Sequence, residues 1–296
     1  MTALKSSAPA KLAAFAAALA AVFGIAAFAG AAVGPDRDGG STEGHGESSS
    51  GLGSDSGGHE MNDAGTAADP VRGLAVSDDG LKLALQTTSI ERGRPAELSF
   101  VILGSGGAAV RDFDVEHEKR MHLIVVRRDG AGFQHLHPEL GPDGTWRTPL
   151  TLARAGSYRV FADFSRGDEA HTLAADLSVD GNADYLPLPE PAATADTGDG
   201  YEVRLDAPAL RAGSESELGF AVTKDGEPVE PEPYLGARGH LVALREGDLA
   251  YLHVHPDEDS LAFMSEFPTE GRYRLYLQFK HDGAVHTAEF TQDVSE

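Results

Sequence analysis

From residue 70 onward the apolar positions fall in short runs rich in β-branched and aromatic residues, and Gly, Asp or Pro interrupts each one. No stretch keeps the 3.6-residue apolar period of an amphipathic helix, so the pattern predicts strands. In a first module they are expected near 81–86, 96–103, 110–113, 121–127, 133–137, 145–152, 157–164 and 172–179. Turn signals separate them at Asp79-Gly80, Gly104 to Gly107, Asp129-Gly130, Asp143-Gly144 and Ala155-Gly156. A second set is expected near 201–205, 217–222, 240–244, 250–255, 262–267, 273–280 and 285–294. Strand count and spacing predict an all-β chain of two tandem antiparallel β-sandwiches, each immunoglobulin-like in topology. The pattern leaves open whether the two form a rod or a packed pair.

The two sets are copies of one module. MHLIVVRRDGAGFQHLHP, residues 121–138, aligns without a gap on GHLVALREGDLAYLHVHP, residues 239–256. His122 falls on His240, His135 on His253, His137 on His255, and Phe133 on Tyr251. Gly156 and Tyr158 match Gly271 and Tyr273, and fifteen residues past each glycine stands His171 or His286, followed by threonine. Upstream, Gly93, Leu98 and Phe100 match Gly213, Leu218 and Phe220. The duplicated modules span 70–180 and 201–296, joined by a proline-rich connector at 181–200.

Composition adds a destination. Residues 1–34 begin with Lys5 and Lys11 and continue into an uncharged apolar run from 12 to 33, the pattern of an export signal. Ala27-Phe28-Ala29 offers a cleavage site, but a run of this length reaches about 33 Å and suits a retained transmembrane helix. Residues 35–69 carry nine glycines and six serines with little to bury, and are expected to be a disordered stalk. The product is expected outside the cytoplasm, tethered to the membrane or secreted after cleavage. The chain has no cysteine, hence no disulfide and no thiolate ligand. Its net charge of −23 opposes nucleic acid as a partner.

Eight of the twelve histidines occupy repeat-equivalent positions. Residues two apart on a strand face one side, so Phe133, His135 and His137 share a face, as do Tyr251, His253 and His255. With the aromatic in the core, the histidines are expected to continue an inward row to the end of the sheet. A hairpin turning at Asp129-Gly130 sets residue 122 opposite 137, and the same arithmetic sets 240 opposite 255. Three imidazoles are then expected to converge at one end of each sandwich, with His171 or His286 as a fourth candidate. Imidazoles without thiolate suit Cu(II), Zn(II) or Ni(II), with copper intrinsically the tightest. The competing reading is structural: a His-x-His pair can bond backbone carbonyls and hold a loop. His117 and His281 have no repeat partner and read as surface residues.

The segments MHLIVV…FQHLHPE and GHLVAL…YLHVHPD resemble those of exported bacterial heavy-metal-binding, YtkA-like proteins, and more distantly of CopC-like copper-resistance sandwiches. The resemblance spans about residues 70–296. It implies an immunoglobulin-like fold and a role in binding copper, or zinc, outside the cytoplasm, with His122, His135, His137, His240, His253 and His255 as ligands. His171 and His286 rest on the internal repeat alone. The N-terminal histidine with which CopC-like proteins bind copper has no counterpart here. Expected partners are the metal ion, the membrane through the N-terminal helix, and a membrane copper transporter or other extracytoplasmic protein. Copper–zinc superoxide dismutase and cupin readings fail because their remaining ligands are missing. No nucleophile elbow, phosphate loop or dinucleotide fingerprint occurs, so no enzyme is expected. The alternative from another class is a metal-free extracellular interaction module with structural histidines.

Overall fold

The computed structural model describes residues 71–256 and 260–296, with His253, His255 and Pro256 described by backbone alone. The expected leader (1–34) and stalk (35–69) lie outside the described residues. Among the described residues every regular element is a strand, and no helix is long and apolar enough to cross a membrane. Both sandwiches belong to one compact unit.

The first sandwich opens with β1 (Ser77–Asp78), β2 (Leu81–Leu85), β3 (Ser89–Ile90), β4 (Ala96–Leu103) and β5 (His122–Arg127). It continues with β6 (Gln134–Leu136), β7 (Glu139–Leu140), β8 (Trp146–Leu150), β9 (Gly156–Arg166) and β10 (Glu169–Val179). The second opens with β11 (Thr194–Asp196), β12 (Tyr201–Asp206), β13 (Leu210–Arg211), β14 (Glu215–Lys224), β15 (Glu227–Val229) and β16 (Gly239–Arg245). It closes with β17 (Tyr251–His253), β18 (His255–Pro256), β19 (Ala262–Glu266), β20 (Gly271–His281) and β21 (Ala284–Ser295).

Sheet β1-β2-β4-β8-β7 packs on sheet β3-β10-β9-β5-β6 in the first module, and β11-β12-β14-β19-β18 on β13-β21-β20-β16-β17 in the second. In each, a short strand runs parallel to the last one, β3 along β10 and β13 along β21, while the other pairings are antiparallel. Taken as A, A′, B, C, C′, D, E, F and G, strands β2 to β10 give A-B-E-D against A′-G-F-C-C′, the immunoglobulin arrangement. A tyrosine corner marks both copies: the Tyr158 hydroxyl donates to the Arg154 carbonyl at 2.9 Å, and Tyr273 to that of Thr269 at 2.9 Å. With no disulfide, Phe100, Phe113 and Trp146 fill the first core, Trp146 and Phe113 edge to face at 5.1 Å.

Two expectations are corrected. Residues 110–113 form no strand, because that stretch only closes a turn on β4, through a bridge from Ala109 to Leu103 and a bond from Val110 N–H to the Ile102 carbonyl. The connector is shorter than 181–200, since Thr194–Asp196 pairs with β12 as an edge of the second sandwich.

The unbroken apolar runs HLIVVR and GHLVALR decide how the modules meet. A sheet covered on one side gives alternating strands, whereas one covered on both gives continuous apolar ones. On β5, Leu123 and Val125 enter the first core, while Ile124 and Val126 belong to a separate cluster with Phe161, Ala174, Val242, Leu244, Leu249, Tyr251 and Tyr276. That cluster joins the C-F-G sheets of the two modules, which therefore form a packed pair. Phe133 stacks on Tyr276 at 4.1 Å, and its repeat-mate Tyr251 meets Phe161, the repeat-mate of Tyr276, at 5.3 Å. The expectation that the aromatic of each His-x-His strand points into its own sandwich is thus overturned: Phe133 and Tyr251 point out of it, into the neighbour.

Candidate metal centre

Strand register brings the first-module histidines together. β5 pairs with β6 as Leu123↔Leu136 and Ile124↔His135, so His135 shares the outward face of Ile124, and the same register carried one step sets His122 across from His137. The three rings lie 5.2 Å (His122–His135), 5.1 Å (His122–His137) and 4.7 Å (His135–His137) apart, centre to centre. With about 2.1 Å from ion to nitrogen and about 1.1 Å from nitrogen to ring centre, two imidazoles on a tetrahedral ion have centres about 5.2 Å apart. One nitrogen from each ring lies within 4.8 Å of the others.

Hydrogen bonds outside the triad orient two of the rings. His122 Nε2 lies 3.2 Å from the Glu116 carbonyl, which only accepts, so the proton sits on Nε2 and Nδ1 keeps its lone pair. His135 Nδ1 lies 2.8 Å from Gln278 Oε1, while Gln278 Nε2 lies 3.2 Å from the Thr287 hydroxyl. Donation to that amide oxygen leaves His135 Nε2 bare. His122 Nδ1 and His135 Nε2 then face each other at 3.0 Å with their lone pairs, a contact that a proton or a metal ion between them satisfies. His137 Nε2 is buried with no hydrogen-bond partner among the described residues.

A proton is a poor solution. Burial and the neighbouring imidazoles His122 and His137 hold the His135 pKa well below the usual histidine value. Burial, His122 and Lys119 lower that of His137 to about 4. At neutral pH these rings are neutral, as a metal site requires. Glu116 and Gln278 occupy the outer positions that orient metal-binding imidazoles in general. A cavity of about 40 Å³ borders the cluster, lined by His122, His135, Asp163 and Tyr251 among others. Met121 is buried in the first core, and among the described residues the clustered donors are the three imidazoles.

The other candidates divide. His240 stands 6.1 Å from His135, ring to ring, and its Nε2 meets the Tyr234 carbonyl at 2.9 Å, just as His122 meets Glu116. In the second module β16 and β17 pair as Val242↔His253, the register that sets 240 across from 255. The side chains of His253 and His255 lie outside the described residues. His171 and His286 do not reach the triad. On β9 and β10, Asp163 and Thr172 face the His122 side, while His171 pairs with Phe164 and its ring contacts Phe164 at 5.4 Å on the core side. His286 likewise turns inward against Tyr201 and Phe279, with its Nδ1 2.7 Å from an Asp199 carboxylate oxygen. The alternation of a strand separates each from its neighbouring threonine's face.

Sequence reading missed Gln278 and His117. Gln278 replaces Asp163 at the same repeat position, so identity gave no signal, although each lies directly across from the first histidine of its module. His117 has its ring centre 6.2 Å from that of His122 and 5.5 Å from that of His240. It occupies a tight turn, residues 116–119, whose counterpart 234–237 has leucine in its place.

The profile of a family described as a domain of unknown function, DUF8832, matches the chain twice, over residues 75–181 and 194–296. The protein belongs to the DUF8832 family. The two DUF8832 segments coincide with the two sandwiches, and the second begins at the edge strand β11. No curated protein matches the sequence. Among solved structures, this DUF8832 chain is similar to the Escherichia coli adhesin FdeC, with 16% identity over 75% of this chain and 66% of that one, TM-score 0.27. It is also similar to the Yersinia pseudotuberculosis adhesin InvE, with 12% identity over 74% of this chain and 60% of that one, TM-score 0.25. A chimeric titin Z1Z2 tandem gives 15% identity over 72% and 96%, TM-score 0.20. The chain spans just under two thirds of FdeC.

Proposed function

We propose that the protein binds a divalent transition-metal ion outside the cytoplasm through His122, His135 and His137, as a metal buffer, chaperone or sensor rather than an enzyme. The observation that carries this reading is the convergence of His122, His135 and His137, with His122 Nδ1 and His135 Nε2 facing each other at 3.0 Å and an oxygen behind each of those two rings. The buried His137 Nε2 without a partner supports it. An all-imidazole set favours Cu(II), then Zn(II). The apolar N-terminal run and the glycine-serine stretch after it support a tethered or secreted extracytoplasmic protein, to which a membrane metal transporter would deliver or from which it would receive the ion.

Calorimetric titration of Cu(II) and Zn(II) into the full chain tests this. The native protein is expected to bind tightly. A variant with His122, His135 and His137 changed to alanine is expected to lose one equivalent, while His171→Ala with His286→Ala keeps it. Absence of tight binding, or its survival in the triple variant, would sink the proposal.

The same 3.0 Å contact supports a second reading. If the Gln278 amide is turned the other way, His135 donates from Nε2 to His122, and the histidines only brace a hairpin of an interaction module. That reading predicts loss of stability, with no metal bound by the native chain.

A further inference from the structure

The triad belongs to the first module, yet the group behind His135 belongs to the second. Gln278 lies on β20, directly across from His240, and reaches over the module boundary to His135 Nδ1 at 2.8 Å. Its amide nitrogen lies 3.2 Å from Thr287 Oγ1 on β21. The boundary is also crossed next to the site, where the Tyr251 hydroxyl donates to the Asp163 carboxylate at 3.1 Å. Farther along it, Tyr276 donates to the Gly130 carbonyl. His135 is therefore held in its ligating form only while the sandwiches are docked.

We infer that the metal site is assembled by module docking, with Gln278 as the positioning residue that keeps the proton of His135 on Nδ1 and its Nε2 lone pair toward the ion. This rests on the metal-binding reading above. Its consequence is linkage: whatever docking contributes to metal affinity, the bound metal returns to docking. The first sandwich contributes the ligands, and the second determines how tightly they hold.

The test compares Cu(II) and Zn(II) affinities of the full chain with those of Gln278→Met, Gln278→Glu and Tyr276→Ala. Methionine has nearly the same volume but offers His135 no oxygen, so affinity is expected to fall about 10–100-fold, the usual cost of removing an outer hydrogen-bond partner. Glutamate, a stronger acceptor, is expected to restore or exceed native affinity. The Cu(II) electron paramagnetic resonance spectrum is expected to change in Gln278→Met and return in Gln278→Glu, which a merely structural role would not produce. Tyr276→Ala loosens the interface without touching a ligand and is expected to weaken the metal as well, with hydrogen exchange reporting that the second core stays closed. Native affinity and spectrum in Gln278→Met, with loss in His135→Ala, would overturn this inference alone. Failure of the native chain to bind would overturn the metal reading and this inference with it.

Discussion

His137 responds to acid in a direction fixed by its surroundings. Its pKa is about 4 in the folded chain, against 6.5 as a free side chain, because burial, His122 and Lys119 oppose a charge there. Between those values the unfolded chain holds a proton that the folded chain lacks, so stability falls as pH drops from about 6.5 and stops falling on this account near 4. The urea midpoint of the metal-free protein is therefore expected to decline from pH 7 to pH 5, and His137→Asn to flatten that decline. Excess Zn(II) is expected to raise the midpoint at pH 5 as well as at pH 7, because His137 is already neutral in the folded chain at both. The triad was legible from the His-x-His spacing and the arithmetic of one hairpin. Gln278 was not, because its repeat-mate is an aspartate and its role exists only across a boundary between modules. His171 and His286 misled for a related reason: repetition marks a position as important to the module but not which face of the strand it occupies.

Among the elements, the turns before β5 and β16 set the first histidines. In each, residues 116–119 or 234–237 exchange both backbone hydrogen bonds, and the leading carbonyl also accepts from His122 or His240. Both central residues have positive φ, 45° and 64° at His117 and Glu118, 53° and 77° at Leu235 and Gly236. Glu118 thus adopts a conformation that glycine takes without strain. Glu118→Gly is expected to stabilise the first module by about 0.5–1 kcal/mol, read from the urea midpoint. The tyrosine corners predict the opposite sign: Tyr158→Phe or Tyr273→Phe removes a part-buried hydrogen bond and is expected to cost about 0.5–1.5 kcal/mol each. Strand positions were readable because apolar runs and Asp-Gly or Gly-Gly breaks alternate so regularly. The 110–113 stretch was misread because a turn that tucks Val110 and Phe113 against a core looks like a short strand in composition.

For the whole molecule, the docked face is the feature the sequence carried without announcing it. HLIVVR and GHLVALR lack the alternation of a strand with one wet side, and the neighbouring module covers the other side. Unfolding is accordingly expected to be a single transition for residues 71–296, and Leu244→Glu, which places a charge in that dry seam, is expected to split it into two in scanning calorimetry. The contacts across the seam are reciprocal, Phe133 on Tyr276 and Tyr251 on Phe161, with each residue and its counterpart trading places. Reciprocity of this kind is what a two-fold axis imposes on a pair of identical subunits. The chain thus has the geometry of a homodimer written into one polypeptide. A single-module ancestor would have paired with itself through this face, under the constraint that both partners carry the same residue at every position. Within one chain the two copies are free of that constraint, and equivalent positions differ, with a carboxylate at Asp163 on one side and an amide at Gln278 on the other.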